Sequence, residues 1–522
     1  MKPRIERVGS LSFVAVVVFM LSASVFCSEV VAASYYISPN GSDSNNGTSG
    51  APWKTFPFAI PRLQPGDSLI LKDGTYTQSN SGFISISGKS GTATAPIAIK
   101  AENERRALLS GDGLTRTLFM NNCSYWVVEG LRLRGADNTA AGTGDVASLY
   151  NSHHITVRRL LVTHNNRYKN SHLFENTNLV DSLFEENELY YWHRHGWSDT
   201  SGQRNVYRRN YANSRGYANI SGGYPSGSGA NGDSFISLYP GKDTIVENNI
   251  SEGNSAFSEL NAAGYGGVLA DDNQFLGNIS LNEEYGIKPV ARGNTDSLMP
   301  HNTLIKNHVS INTKYSGVYS RSAKTTRIEN SSFIGGSSSQ GSGVIADRDG
   351  SALGDGTYSI SLVNTLATGY SAGYGVTISN SSGGTWTFAI DYASAYNAPF
   401  NPAASHPSIT NEMTVNPNLG SCKLWIPDGS SLKQTGKNGA DIGANILYRY
   451  QNGTLTSTPL WNSDGSFPHG VIITGVNDVA GASAFDVHQR LNVNTNGCSF
   501  PAGYGSSTVT SAPAPFGLRI VQ

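Results

Sequence analysis

Val246-Glu247-Asn248-Asn249-Ile250 is the stretch that decides the fold, because it recurs as Tyr207-Arg208-Arg209-Asn210-Tyr211, Phe275-Leu276-Gly277-Asn278-Ile279 and Ile305-Lys306-Asn307-His308-Val309. Looser copies stand at Ile328-Glu329-Asn330 and Leu362-Val363-Asn364. Each copy is a short apolar strand that ends on an asparagine. Repetition at this unequal spacing predicts a solenoid of stacked coils, with apolar side chains pointing inward at every second residue and asparagine amides bonding from coil to coil at a bend. Variable spacing around a fixed core means that individual coils carry loops of different length, and function is to be sought there.

The composition fits an elongated all-β chain. Its 522 residues include 58 Gly and 25 Tyr, and only 14% are charged. A solenoid of this length buries one continuous core without dividing into ordinary domains. With a formal net charge of -1, the chain has no general affinity for nucleic acid, so a polyanion would have to be held by a local cluster of cations.

Lys2, Arg4 and Arg7, an apolar run from Leu11 to about Phe26, and Val31-Ala32-Ala33 read as a secretory signal over residues 1–33. A secreted chain with no membrane contact after signal removal, acting as a monomer, is the expectation. Three cysteines then remain, and Cys422 and Cys498 are expected to pair across the C-terminal region while Cys123 is buried as a small apolar residue.

Tyr35-Tyr36-Ile37-Ser38-Pro39-Asn40-Gly41, Pro52-Trp53-Lys54-Thr55 and Gln64-Pro65-Gly66-Asp67 resemble the opening of secreted bacterial β-helix proteins, and Gly439-Ala440-Asp441-Ile442-Gly443-Ala444 resembles their closing segments. With the repeats between them, the mature chain resembles the pectate-lyase-like superfamily of right-handed parallel β-helices. The resemblance implies a cap and first coils over 34–104, the β-helix over 105–400, and a final coil with a folded extension over 401–522. Pro57 and Pro61 restrict the cap to a short helix. It also implies an acidic polysaccharide as substrate, cleaved by a lyase, with a glycoside hydrolase or a non-catalytic carbohydrate-binding surface protein as alternatives.

Aligning coils on a glycine superposes Gly196-Trp197, Gly267-Val268, Gly286-Ile287, Gly317-Val318 and Gly343-Val344. That register predicts an inward column of Trp197, Val268, Ile287, Val318 and Val344, with Phe235 also inside. Lys288 and Tyr319 then share an outward column, and Asp271, Arg321 and Asp347 share another two residues on. β-Elimination needs a base for the C5 proton of a uronate and a cation against its carboxylate. Lys288 is the candidate base and Arg321 the candidate neutraliser, with Arg292 and Tyr319 as further contacts. Lyases of the alginate and chondroitinase B type carry a lysine and an arginine on neighbouring coils in similar placement.

The aromatic cluster Tyr190-Tyr191-Trp192-His193-Arg194-His195-Gly196-Trp197, followed by Arg215 and Tyr217, offers rings to stack on sugars. His195 is a candidate for moving a proton to the leaving oxygen, and His193, Trp197, Arg215 and Tyr217 are candidate substrate contacts. His193 and His195, two apart, would point to the same side of a strand, but no third metal ligand stands at a telling spacing. Asp271-Asp272 is the candidate carboxylate pair, for hydrolysis or for Ca2+. The sequence requires no cofactor, and Ca2+ is compatible with this pair.

Overall fold

The computed structural model describes residues 32–136, 144–164, 171–192, 194–213, 234–253, 263–268, 270–291, 299–347, 357–377, 385–398, 408–461, 500–501 and 503–504. Most coils have three strands, and in the last coils the two short strands merge into one, as in Thr357–Thr368 and Thr385–Tyr396. In one three-stranded coil they are His195–Thr200, Val206–Arg208 and Tyr211–Asn213, and in the next they are Ser234–Tyr239, Ile245–Glu247 and Ile250–Glu252. Equivalent strands pair in parallel, with Trp197 opposite Ile236, Tyr207 opposite Val246 and Tyr211 opposite Ile250. Parallel pairing begins at Ser34–Ile37 and reaches Ser408–Met413, so the ladder starts earlier and ends later than the repeats alone announce. The first strand of each coil, from Ile84–Ser87 to Ala372–Thr377, joins one sheet of eleven strands among the described residues.

Apolar side chains fill the bore. Phe174, Trp197, Ile236, Ile287, Val318 and Val344 are buried in one continuous core with Phe184, Tyr207 and Phe235. Phe184 stacks on Tyr207 at 4.8 Å, and Phe174 on Trp197 at 5.3 Å. The coil spacing of a parallel sheet therefore doubles as an aromatic stacking distance.

The bend between the two short strands uses two residues with different tasks. Arg209, Asn248, Gly277 and Asn307 take φ of 51°, 52°, 63° and 51°; glycine and asparagine tolerate this left-handed region best. The next residue forms the ladder: the Asn187 amide donates to Asn210 Oδ1 at 3.0 Å, Asn210 to Asn249 at 2.9 Å, and Asn249 to Asn278 at 3.0 Å. These partners are 23, 39 and 29 residues apart in sequence, so the rung is constant while coil length is not. Asn307 belongs to the left-handed position, and the ladder position of its coil holds His308, whose imidazole burial pushes down to about 3.

At the N-terminal end, the helix Phe56–Ala59 has Thr55 as its cap and Pro57 in its first turn, followed by a single tight turn at Ile60–Arg62. Asp67 accepts hydrogen bonds from the Ala33 and Gln64 amides, which fixes the entry into the first coils. At the other end the chain folds back along the coils. The hairpin Tyr448–Gln451/Thr454–Pro459 docks on the short-strand face, where the Asn452 and Gly453 amides donate to the two oxygens of Glu247 at 2.9 Å and Arg208 donates to Asn452 Oδ1 at 3.0 Å. Leu424, Trp425, Ile446 and Trp461 bury the apolar outer residues Ile250, Ile279 and Val309.

Cys123 is buried with a free thiol that burial pushes up in pKa. Cys422 is disulfide-bonded, and Cys498, its expected partner, lies outside the described residues. The expected signal segment lies almost wholly outside them as well. Among the described residues no helix is long and apolar enough to cross a membrane.

Candidate active-site face

The eleven-stranded sheet turns one side to the core and the other outward. Its register links Glu175, Ser198, Ser237, Gly266 and Lys288 across five consecutive strands. Ile287 opposite Val318 and Val290 opposite Arg321 then set Lys288 beside Tyr319, with Arg321 on the same neighbouring strand two residues on. The adjacency of Lys288, Tyr319 and Arg321 expected from the glycine register therefore holds.

Glycine makes this corner. A Cβ on Gly317 would meet the Gly343 carbonyl oxygen at 2.8 Å, and one on Gly343 would meet the Gly373 carbonyl at 2.8 Å, so successive backbones approach too closely for a side chain. Lys288 stands two residues after the equivalent Gly286 and is only 6% exposed. Its Nζ lies 4.9 Å from the centroid of Tyr285 and 5.6 Å from that of Tyr319, whose rings are 5.0 Å apart. The nitrogen thus lies to one side of the paired rings, near both, and their contacts fix where it points. Arg321 and Tyr319 are half-buried.

The other sequence candidates separate. Trp197 is 0% exposed and packs against Phe174, Tyr207 and Phe235 inside the bore, so it supports the coil and does not reach a polymer outside. His195 stands at the start of its strand opposite Ser234, 1% exposed, and its ring stacks on His172 at 5.2 Å with 4° between planes. Three strand spacings, or ~14 Å, separate its strand from that of Lys288, too far for both to act on one sugar bond.

Asp271 does not share a column with Arg321. The strand is Ala263–Val268, and Tyr265, not Val268, stands opposite Ile287. Asp271 falls at the following turn, bridged to Lys242, where its Oδ1 accepts the His301 amide at 3.0 Å and lies 2.8 Å from His301 Nδ1. Asp272, at φ 53°, accepts from Asn302 at 2.9 Å. These carboxylates are engaged with different neighbours and do not converge on one point. The side chains of Val268 and Asp347, and residues His193, Arg215, Tyr217 and Arg292, lie outside the described residues.

Sequence reasoning missed a cluster four strands away from Lys288 on the same face. Asp145, His172 and Glu175 each present a ligand-type atom, all within 4.8 Å of one another. Asp145 Oδ1 accepts the His172 amide at 2.9 Å and lies 3.2 Å from His172 Nδ1. Arg116 Nη2 approaches Asp145 Oδ2 at 3.5 Å and Glu175 Oε2 at 3.6 Å, and it donates to Tyr150 Oη at 2.9 Å. Tyr150 in turn donates to Glu175. Burial, with Asp145 alongside, pushes the Glu175 carboxyl up, and burial with Glu175 alongside pushes the Tyr150 phenol up. The signal that could have found this cluster is His172-Leu173-Phe174 beside His195-Gly196-Trp197, the same histidine-x-aromatic pattern one coil apart.

Neither carboxylate group fits Ca2+. That ion takes six to eight oxygen ligands. Here Asp271 and Asp272 diverge, and the Asp145 cluster contains an imidazole and a guanidinium.

Residues 35–256 match the family model described as "Pel9A-like, right handed beta helix region". That stretch is similar to the right-handed β-helix region of Pel9A-like proteins. The β-helix is similar to pectate lyase PEL9 of Emericella nidulans, 38% identical over 88 residues, which cover 17% of this chain and 21% of that protein. It is also similar to pectate lyase L of Dickeya dadantii, 41% identical over 78 residues, which cover 14% and 18%. These alignments span about a fifth of the length of the curated relatives. Among solved structures, the crystal structure of pectate lyase Pel9A aligns with a TM-score of 0.43 at 18% identity, covering 79% of this chain and 95% of that one. An alginate lyase from Paenibacillus sp. str. FPU-7 aligns at 0.41 and 16%, covering 68% and 97%.

Proposed function

We propose that this β-helix is a polysaccharide lyase that cleaves a uronic-acid polymer by β-elimination on the outer face of the eleven-stranded sheet. The observation that carries the reading is the setting of Lys288, a buried amine packed beside the paired rings of Tyr285 and Tyr319, with Arg321 two residues after Tyr319 on the next strand. The partial similarity to pectate lyases points the same way.

In this reading Arg321 pairs with the uronate carboxylate, which acidifies the adjacent C5–H bond. Lys288 Nζ takes the C5 proton, the C5–H electrons form the C4=C5 double bond, and the C4–O bond breaks. The departing glycosidic oxygen receives a proton, and the products are a new reducing end and an unsaturated uronate. Tyr319, half-buried beside Lys288 and Arg321, contacts the sugar. In this reading the enzyme acts outside the cytoplasm, the expectation that the signal-like segment over residues 1–33 supports.

The test is incubation of the purified chain with pectate, alginate, glucuronan, hyaluronan and neutral glycans, followed by ultraviolet absorbance of the new double bond and by reducing ends. Both signals rise together for a lyase. Reducing ends without absorbance would replace the reading with hydrolysis, and neither signal would leave a binding protein.

A further inference from the structure

We infer that Asp145, His172 and Glu175 bind one divalent transition-metal ion of the Zn2+ type, in a site distinct from the Lys288 region. Two carboxylates and one imidazole are a mixed oxygen and nitrogen donor set, which suits borderline transition metals and not Ca2+ or Mg2+. The donor atoms already lie within 4.8 Å of one another, so an ion at ordinary bond lengths can reach all three with small side-chain shifts.

A second observation points to a ligand. His172 is only 6% exposed, yet neither ring nitrogen has a hydrogen-bond partner: Nδ1 lies 3.2 Å from Asp145 Oδ1 without hydrogen-bond alignment. Burying an imidazole with both nitrogens unpaired costs free energy, and a metal bond at either nitrogen removes that cost. The backbone holds the site ready. Asp145 precedes the strand Ala147–Tyr150, His172 and Glu175 lie on the paired strand His172–Thr177, and the His172 amide is bonded to Asp145 Oδ1 at 2.9 Å. Arg116 faces the opposite oxygens, Asp145 Oδ2 and Glu175 Oε2, and in the metal-free site it supplies the positive charge that the ion would bring. The ion would pin two adjacent coils together and stabilise the folded chain by mass action.

The experiment is calorimetric titration of the chelator-treated chain with ZnCl2 and, separately, CaCl2, with melting curves in parallel. One equivalent of Zn2+ should bind and raise the melting temperature. His172→Ala and Glu175→Gln should each weaken Zn2+ binding at least tenfold while circular dichroism reports an intact fold. Arg116→Gln, which removes a competing cation, should tighten it several-fold. No Zn2+ binding, full binding retained in both ligand variants, or weaker binding after Arg116→Gln would overturn the site. No substrate is present in these measurements, so the result is independent of the lyase reading.

Discussion

Glu175 and Lys288 occupy one outward column of the eleven-stranded sheet, joined strand by strand through Ser198, Ser237 and Gly266. Four strand spacings of ~4.8 Å put them ~19 Å apart along the coil axis. The column has a carboxylate-rich end and a cationic end. A polyuronate lying along it gains attraction at the Lys288 and Arg321 end, so cleavage is expected to be centred there.

Lys288→Ala is expected to abolish double-bond formation while leaving the fold and most of the polymer binding intact, because the proton transfer matters only in the transition state. Arg321→Ala should raise KM and lower kcat together, since the substrate carboxylate is charged before and during reaction. Steady-state kinetics on the polymer that the native chain cleaves will check both. Near-normal turnover by Lys288→Ala would move the base elsewhere on the face.

Asp271→Asn and Asp272→Asn are expected to leave turnover within about twofold of the native chain. Each carboxylate is engaged at a turn with His301 or Asn302, away from the Lys288 column. A loss of more than tenfold in either variant, with the fold preserved, would return this pair to the reaction.

What the sequence made legible divides along physical lines. The asparagine bends could be read because one rung must satisfy the same backbone groups in every coil, whatever the loop length between. The Lys288 and Tyr319 column could be read because Gly286, Gly317 and Gly343 mark a corner where backbones nearly touch. The same marker failed at Ala263–Val268, which offers Gly264, Gly266 and Gly267 to a reader looking for one; Gly264 is the true marker, and the three-residue slip from Gly264 to Gly267 carried Asp271 into the wrong column. Asn307 was misread for a similar reason, since both bend positions accept asparagine. The Asp145, His172 and Glu175 cluster left only the repeated histidine-x-aromatic pattern as a trace, and the place where the folded extension docks left none, because it depends on contacts across more than 200 residues, as between Glu247 and Gly453.

Asn249→Ala is expected to destabilise the β-helix by about 2–4 kcal/mol. Its carboxamide accepts from the Asn210 amide and side chain at 2.9 Å each and donates to Tyr207 O at 2.8 Å and Asn278 Oδ1 at 3.0 Å, so truncation strands several buried groups at once. Urea denaturation of the variant beside Asn330→Ala, at the neighbouring bend position of a later coil, measures the difference. Equal losses would mean that the ladder contributes no more than the left-handed turn.

Asp199 gives the coil an expected pH dependence of defined sign. It lies inside the bore, and burial pushes its carboxyl from 3.8 to about 6, against hydrogen bonds from Asn205 at 3.0 Å and Tyr207 at 2.9 Å. Between those two values the folded chain holds a proton that the unfolded chain has released. Its contribution therefore favours the folded state at low pH and is lost as pH rises through about 6, on the order of 3 kcal/mol in all. Other carboxylates titrate in the same range, so the comparison that isolates Asp199 is the native chain against Asp199→Asn, which keeps a side-chain oxygen for both donors without the ionisation. Denaturant melts at pH 4.5 and pH 7.5 should find the variant gaining relative stability at the higher pH. A stability difference that stays constant with pH, or moves the other way, would mean that Asp199 is not held protonated inside the coil.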